Sequence, residues 1–126
     1  MARILISEPH EDVRRLLGRM LEHLGHEPVV HIVLRPEQLM SVDAFIVEPA
    51  APVGVVLVQA AQIVAPSLPV ICASVGAPPA ELTELGIEFA ACLIKPFTIG
   101  QLGAAIDRAL ASRVDRARNH HRYHAA

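Results

Sequence analysis

The sequence has no long apolar run, although more than half of its residues are apolar. Its 126 residues are 52% apolar. Pro, Gly and charged residues break the apolar blocks well short of the run of about 18 residues that marks a membrane-spanning helix. The start of the chain also lacks the apolar stretch and the cleavage site of a secretory signal. We therefore expect no membrane span and a cytoplasmic location.

Net charge and cysteine are also scarce. The formal net charge is −2, which gives the domain no general attraction for nucleic acid or for an acidic membrane surface. The two cysteines, Cys72 and Cys92, both lie in apolar, strand-like segments, where a cysteine behaves as a small buried hydrophobic residue. We therefore expect neither a disulfide nor a metal site from this pair.

Motifs for nucleotide binding and for nucleophilic catalysis are missing as well. The chain contains no Gly-x-Gly-x-x-Gly sequence and no Walker-type loop, so a dinucleotide or nucleoside triphosphate site has no positive support. No Ser, Cys or His is arranged as a nucleophile with its base. We therefore do not expect an enzyme with turnover of its own.

What is present is an alternation of strand and helix patterns over a length typical of one domain. Strand-like runs cover residues 3–7, 29–34, 44–47, 68–73 and 90–94. Five strands alternating with helices over short connections predict an α/β domain with a parallel sheet and helices on both faces.

The helices are predicted from periodicity and from end signals. Residues at i, i+3, i+4 and i+7 form the stripe of the first helix, and Gly25 ends it. That stripe comprises Val13, Leu16, Leu17, Met20, Leu21 and Leu24. A short second helix covers residues 36–42, the third covers 55–64 and is apolar nearly all round, and Pro78 and Gly86 bound a short fourth helix. Thr98 and Gln101 form a capping box that opens the fifth.

The last 14 residues lose this periodicity and are rich in Arg and His. We predict a domain over 1–112 and a basic tail or frayed helix end over 113–126. His120, His121 and His124 in this segment suggest a metal site, and its arginines suggest a contact with nucleic acid. No acidic or cysteine ligand and no helix-turn-helix accompanies them, so we expect a solvated tail.

Polar residues close four of the predicted strands. They are Glu8, Glu48, Ser74 and Lys95. In open α/β sheets the crevice outside the carboxyl ends of the strands is where ligands and chemistry gather. We therefore expect these four side chains to form one site at a single edge of the sheet.

The order and spacing of these residues resemble the receiver domain of bacterial two-component response regulators. The resemblance covers residues 3–111, and its best matches are RILISEPHEDVRRLL, DAFIVEPAAP, LPVICAS and LIKPF. It implies a flavodoxin-like sheet in the order 2-1-3-4-5 and a role in phosphorelay signal transduction.

The resemblance also implies a role for each matched residue. Receiver domains carry two acidic residues after the first strand and a phosphoacceptor Asp after the third, and these three hold a Mg²⁺. Glu8 matches the first acidic position, Pro9 stands at the second and Glu48 stands at the phosphoacceptor position. Proline offers a metal no side-chain oxygen, and Glu48 moves the carboxylate outward by roughly 1.5 Å. We therefore expect weak or no Mg²⁺ binding by Glu8 and Glu48, and no ordinary aspartyl phosphorylation.

The other half of the family's site is retained. Ser74 and Lys95 match the pair that senses the phosphoryl group, and Lys95-Pro96 matches the family's cis peptide bond. Cys92 stands at the aromatic switch position, and Phe89 is a substitute if the loop shifts. One hypothesis is that Glu48, Lys95 and Ser74 together fix the domain in one conformation without phosphate. The alternative is a partly solvated Glu48–Lys95 ion pair of small energetic value.

The resemblance therefore implies a degenerate receiver domain, a phosphorylation-independent interaction module. It implies that a protein partner or a second copy of the chain docks on the face of the fourth helix, fifth strand and fifth helix. Two alternatives remain. One is a response regulator that is still phosphorylated, with a metal held by Glu8 and backbone. The other is a small-ligand or flavin binder that uses the same crevice.

Overall fold

Strands and helices alternate along the chain as the sequence predicts. The computed structural model describes residues 1–30 and 35–125, and the side chains of residues 1–30, 35 and 37–113. The strands are Arg3–Ser7 (β1), Glu27–Val30 (β2), Ala44–Val47 (β3), Val70–Ser74 (β4) and Ala91–Ile94 (β5). The helices are Glu11–His23 (α1), Pro36–Met40 (α2), Pro52–Val64 (α3), Ala80–Glu84 (α4) and Ile99–Ala125 (α5).

The strands form one parallel sheet in the order β2-β1-β3-β4-β5, which confirms the predicted order. Ser7 pairs with Val47 and Ser74 pairs with Ile94, so β1 ends level with β3, and β4 ends level with β5. Val47 pairs with Cys72, so β4 and β5 extend two residues further than β1 and β3. Because all strands run the same way, their carboxyl ends share one edge. The residues that follow β1, β3 and β5 therefore come together there.

Alternate strand residues fill two cores, one on each face of the sheet. Ile4 and Ile6 of β1 pack with α1 and α5. Leu5 of β1 and Phe45 of β3 pack with α2, α3 and α4 on the opposite face. Burial on both faces is the reason that the strands read as continuous apolar runs.

The apolar stripe of α1 is narrower than predicted. Leu17 and Leu21 are buried, but Leu16 is 60% exposed. Leu16 is turned about 100° round the helix axis from Leu17, which takes it past the face that meets the sheet. Gly25 has a φ of 84°, and its N–H donates to the carbonyl of Glu22, so the predicted glycine stop is confirmed.

Two elements begin earlier in the chain than predicted, and each of them begins at or next to a proline. The second strand begins at Glu27 rather than at residue 29, because an edge strand tolerates Pro28. Its predicted last residues, 31–34, lie outside the described residues. The third helix begins at Pro52 rather than at residue 55, because proline is favoured in the first helical position.

The last helix is longer than predicted. α5 runs to Ala125, so the backbone of the segment predicted as a tail or a frayed end is helical up to that residue. The histidines of this segment have side chains outside the described residues, and the domain boundary after residue 112 stays a prediction. Over the described part of the chain, no helix combines the length and the apolar character that a bilayer crossing requires.

Candidate functional site

Glu8 directly follows β1, and its side chain is only 3% exposed. Its Oε1 atom accepts a hydrogen bond from the N–H of His10 at 3.1 Å and lies 3.0 Å from Nδ1 of the same residue. Its Oε2 atom lies 2.6 Å from Nζ of Lys95. Arg14 Nη1 donates to the Glu8 carbonyl at 3.0 Å, which ties this loop to α1. Both carboxylate oxygens of Glu8 therefore have partners.

Glu48 follows β3 in the equivalent way, with a side chain that is 8% exposed. Its N–H donates to the carbonyl of Ser7 at 3.1 Å, which fixes the backbone next to β1. Its Oε1 atom accepts the N–H of Ala50 at 3.1 Å, and its Oε2 atom lies 2.6 Å from Nζ of Lys95. The two glutamates thus use the same arrangement, in which one oxygen binds a loop N–H and the other binds the ammonium.

Lys95 joins these two carboxylates from the far side of the sheet. It follows β5, and its N–H donates to the carbonyl of Ser74 at 2.8 Å. The Lys95-Pro96 peptide bond is cis, as the resemblance implies. The Lys95 side chain is 16% exposed and reaches past β4 to the ends of β3 and β1. One ammonium therefore faces two carboxylates, and the cluster of three carries a net charge of −1.

Hydrogen bonds keep Glu8 and Lys95 ionised despite their burial. Burial raises the pKa of Glu8, but hydrogen bonds from Lys95 and His10 outweigh it and hold the pKa below its ordinary value of 4.5. Burial lowers the pKa of Lys95, but hydrogen bonds to Glu48 and Glu8 outweigh it and hold the pKa above 10.5. At neutral pH Glu8 is therefore negative and Lys95 is positive.

Ser74 lies at the same edge but bonds elsewhere. Its hydroxyl is buried, donates to the carbonyl of Gly76 at 2.5 Å, and lies 3.6 Å from Sγ of Cys72. The hypothesis that grouped Ser74 with Glu48 and Lys95 is wrong on this point, because the third member of the cluster is Glu8. The side chain of serine is short, so its hydroxyl binds a carbonyl close by in the chain, here that of Gly76 two residues further on.

The remaining predicted positions surround the cluster. Pro9 is exposed and lines a cleft of about 210 Å³ beside Glu8, Glu48 and Arg14. Cys92 is exposed, which corrects the expectation that both cysteines are buried. β5 is an edge strand, and its residues are alternately buried and exposed. Of the residues whose side chains are described, no group of three His, Cys, Asp or Glu is placed to hold a metal ion.

Gly54 is a site-positioning residue that the sequence analysis missed. A Cβ added at this position of α3 would lie 2.0 Å from the carbonyl oxygen of Glu48 and 2.9 Å from its carbonyl carbon. Only glycine lets the start of α3 approach the Glu48 backbone this closely. A glycine inside an apolar helical pattern carries no signal that identifies such an approach.

The sheet order, the strand-end cluster and the cis Lys95-Pro96 bond define a receiver-type fold of the flavodoxin-like class. Among solved structures, a response regulator receiver domain protein from Clostridium thermocellum is similar at 21% identity and a TM-score of 0.76, over 88% of this chain and 95% of that one. The Vibrio cholerae chemotaxis protein CheY4 is similar at 21% identity and a TM-score of 0.72, over 87% and 99% of the two chains.

A third likeness is to a sensor protein from Polaromonas sp. JS666, at 26% identity and a TM-score of 0.68, over 88% of this chain and 97% of that one. No protein-family model matches the sequence. No curated protein matches it either. These similarities show the receiver fold. What the site can do chemically has to be inferred from the residues of this chain.

Proposed function

We propose that this chain is a receiver-type signalling module that works without phosphorylation and is held in one conformation by Lys95. The observation that carries the proposal is the pair of 2.6 Å contacts from Lys95 Nζ to Glu8 and to Glu48. In the receiver domains that the sequence resembles, this lysine senses a phosphoryl group on the acceptor carboxylate. Here the unmodified carboxylate of Glu48 already engages it.

The longer side chain of Glu48 explains how this contact replaces a modification. Relative to aspartate, glutamate places its carboxylate roughly 1.5 Å further from the backbone. A carboxylate moved outward takes over part of the charge that a phosphoryl group would bring. Because an unmodified Glu48 makes the contact with Lys95, the proposed conformation requires no kinase to produce it and no phosphatase to reverse it.

The same contacts argue against a requirement for magnesium. Each of the two carboxylates already has one oxygen on a loop N–H and the other on Lys95. Mg²⁺ demands near-octahedral oxygen coordination, and Pro9 supplies no side-chain oxygen where the family has its second acid. A magnesium ion held by the two Oε2 atoms would compete with the ammonium of Lys95 for them. We propose that Lys95 takes the charge-neutralising role of the metal.

The proposed output is a contact with a protein partner or with a second copy of the chain, in the cytoplasm. The surface is the face of α4, β5 and α5. Exposed apolar residues stand on each of these elements or directly beside it: Leu85 (59% exposed), Ile94 (63%) and Ile99 (37%). Exposed apolar surface of this kind supports a docking face.

Phosphorylation is tested by incubating the chain with acetyl phosphate and Mg²⁺ and measuring its intact mass. We expect no added phosphoryl group. The matched control is the double variant Pro9→Asp and Glu48→Asp, which restores the acidic pattern of the family and is expected to gain the group. Backbone amide spectra recorded with and without beryllofluoride and Mg²⁺ should be unchanged for the native chain. A native chain that gains a phosphoryl group contradicts the proposal.

The docking face is tested separately by sedimentation velocity. If two copies of the chain pair through it, Ile94→Glu should convert a dimer to a monomer. Ile63→Glu is the matched control, because Ile63 is 82% exposed but lies on α3. A dimer that survives Ile94→Glu places the self-association on another surface. A native chain that is monomeric leaves the face to a different protein partner.

A further inference from the structure

Cys72 and Cys92 are register partners on neighbouring strands. Cys72 of β4 pairs with Cys92 of β5 in the parallel ladder, so both side chains leave the sheet on the same face. Neighbouring strands are about 4.8 Å apart, within the range of about 4.4–6.8 Å between Cα atoms that a disulfide spans. Both residues are free cysteines in this structure.

The two thiols differ in their access to solvent. Cys72 is 1% exposed, whereas Cys92 is exposed on the edge strand. The pKa of Cys72 is raised to about 11, chiefly by burial, with a smaller contribution from the Cys92 thiol beside it. A soluble oxidant therefore reaches Cys92 first, and Cys72 stays a protonated thiol at neutral pH.

We propose that Cys92 is a redox modification site, which a hydroperoxide oxidises and which Cys72 then resolves into a reversible disulfide between β4 and β5. In the first step the Cys92 thiolate attacks the O–O bond of hydrogen peroxide. An S–O bond forms, the O–O bond breaks, and the leaving hydroxide takes up a proton to become water. Sulfur loses two electrons, and the peroxide gains them.

In the second step the Cys72 thiolate attacks the sulfur of the Cys92 sulfenic acid. The S–S bond forms, the S–O bond breaks, and hydroxide leaves and takes up the proton that Cys72 gave up. The sum is two thiols and one hydrogen peroxide giving one disulfide and two waters. Because Cys72 must ionise, this second step should speed up as the pH rises toward about 11.

The pair also touches the strand-end site. Sγ of Cys72 lies 3.6 Å from the hydroxyl oxygen of Ser74, which also donates to the Gly76 carbonyl. A disulfide has no thiol hydrogen and places its sulfur differently, so oxidation should alter this contact. The carbonyl of the same Ser74 accepts the backbone N–H of Lys95, so the change lies next to the residue that joins Glu8 and Glu48.

The experiment treats the full chain with hydrogen peroxide, blocks free thiols with an alkylating agent and measures intact mass without reductant. We expect a monomer that is lighter by two hydrogen atoms, takes up no alkyl group and returns to two free thiols with dithiothreitol. Trypsin leaves both cysteines in one peptide, because no Lys or Arg lies between residues 36 and 94. A glutamate-specific protease cuts between them, after Glu81, Glu84 and Glu88, so the two fragments should separate only on reduction.

Two variants complete the test. Cys92→Ser changes an exposed side chain, which should preserve the fold, and it should abolish the disulfide and leave Cys72 reduced. Cys72→Ala should leave Cys92 oxygenated and unresolved. The proposal is overturned if native Cys92 gains oxygen while Cys72 remains free for alkylation. It is also overturned if the product is a covalent dimer through Cys92.

Discussion

Lys95 Nζ lies 2.6 Å from Oε2 of Glu8, a contact that spans 87 residues of sequence and passes β3 and β4 in the sheet. The contact closes a three-membered cluster in which one partly buried ammonium holds two buried carboxylates. Breaking a buried pair by removing one partner costs more than the pair itself contributes, because the remaining charge loses its partner. The cluster therefore makes the strand ends sensitive to any change in its members.

Lys95→Met should be the most destabilising single change in the cluster, because it leaves Glu8 and Glu48 facing each other without a cation. We expect the free energy of unfolding to fall by about 3–5 kcal/mol, measured by urea denaturation. Glu8→Gln and Glu48→Gln each leave Lys95 with one carboxylate, so each should cost less, about 1–3 kcal/mol.

The double variant Glu8→Gln and Lys95→Met provides the control. It should be less destabilised than the sum of its single variants, because the second change removes a charge that the first leaves unpaired. If Lys95→Met lowers the free energy of unfolding by no more than about 0.5 kcal/mol, the cluster behaves as a solvated ion pair that contributes little to stability. The proposal of a fixed conformation is then not supported.

The stability of the protein should decline toward both ends of the pH scale. The pKa of Glu8 is lowered by folding, so its contribution is complete above 4.5 and is lost as the pH falls through the lower folded value. The pKa of Lys95 is raised by folding, so its contribution is complete below 10.5 and is lost as the pH rises through the higher folded value. Thermal unfolding of the native chain and of Glu8→Gln measures this. The difference between them should shrink in acid, and a difference that persists below the folded pKa of Glu8 would contradict the assignment.

The sequence predicted the sheet edge but not the pairing within it. The strand-end rule brings Glu8, Glu48 and Lys95 to one edge, because parallel strands end together. It does not say which carboxylate oxygen faces the lysine, since that depends on the loop N–H groups of His10 and Ala50. The prediction therefore found the Glu48–Lys95 contact and missed Glu8 as the second partner.

The burial of Cys92 was predicted wrongly, because the sequence of a strand does not show whether the strand lies in the middle of the sheet or at its edge. The segment ACLI is wholly apolar and reads as buried on both faces. As the edge strand of the sheet it exposes Cys92 and Ile94, while Ala91 and Leu93 stay buried.

Gly54→Ala should both destabilise the fold and disturb the cluster of Glu8, Glu48 and Lys95. The new methyl group would meet the Glu48 backbone, which has no flexible side chain to move aside. We expect a loss of about 1–3 kcal/mol, with the pKa of Lys95 moving back toward its ordinary value as Glu48 shifts. Unfolding by urea and NMR titration of the lysine measure the two effects.

Gly18→Ala is the matched control for this change. Gly18 also lies inside a helix, but a Cβ there would meet its nearest atom, on Pro28, at 4.0 Å. Alanine should stabilise α1 by about 0.5–1 kcal/mol through helix propensity alone. If Gly54→Ala behaves like Gly18→Ala, the close approach to Glu48 does not constrain the site.

Arg113→Ala should show that the first residue of the predicted tail belongs to the folded domain. Arg113 Nη1 donates to the carbonyl of Val42 at 3.0 Å and to Oδ1 of Asp43 at 3.1 Å. Asp43 Oδ2 in turn accepts the N–H of Arg3 at 2.8 Å, so α5 is tied to the starts of β3 and β1. Both side chains of the ion pair are partly exposed, so we expect the free energy of unfolding to fall by only about 1 kcal/mol, measured by thermal unfolding.

Arg108→Ala is the control, because Arg108 is an exposed residue of α5, and this change should cause no measurable loss of stability. Equal stability of the two variants would place the end of the folded domain before Arg113, where the loss of periodicity in the sequence put it.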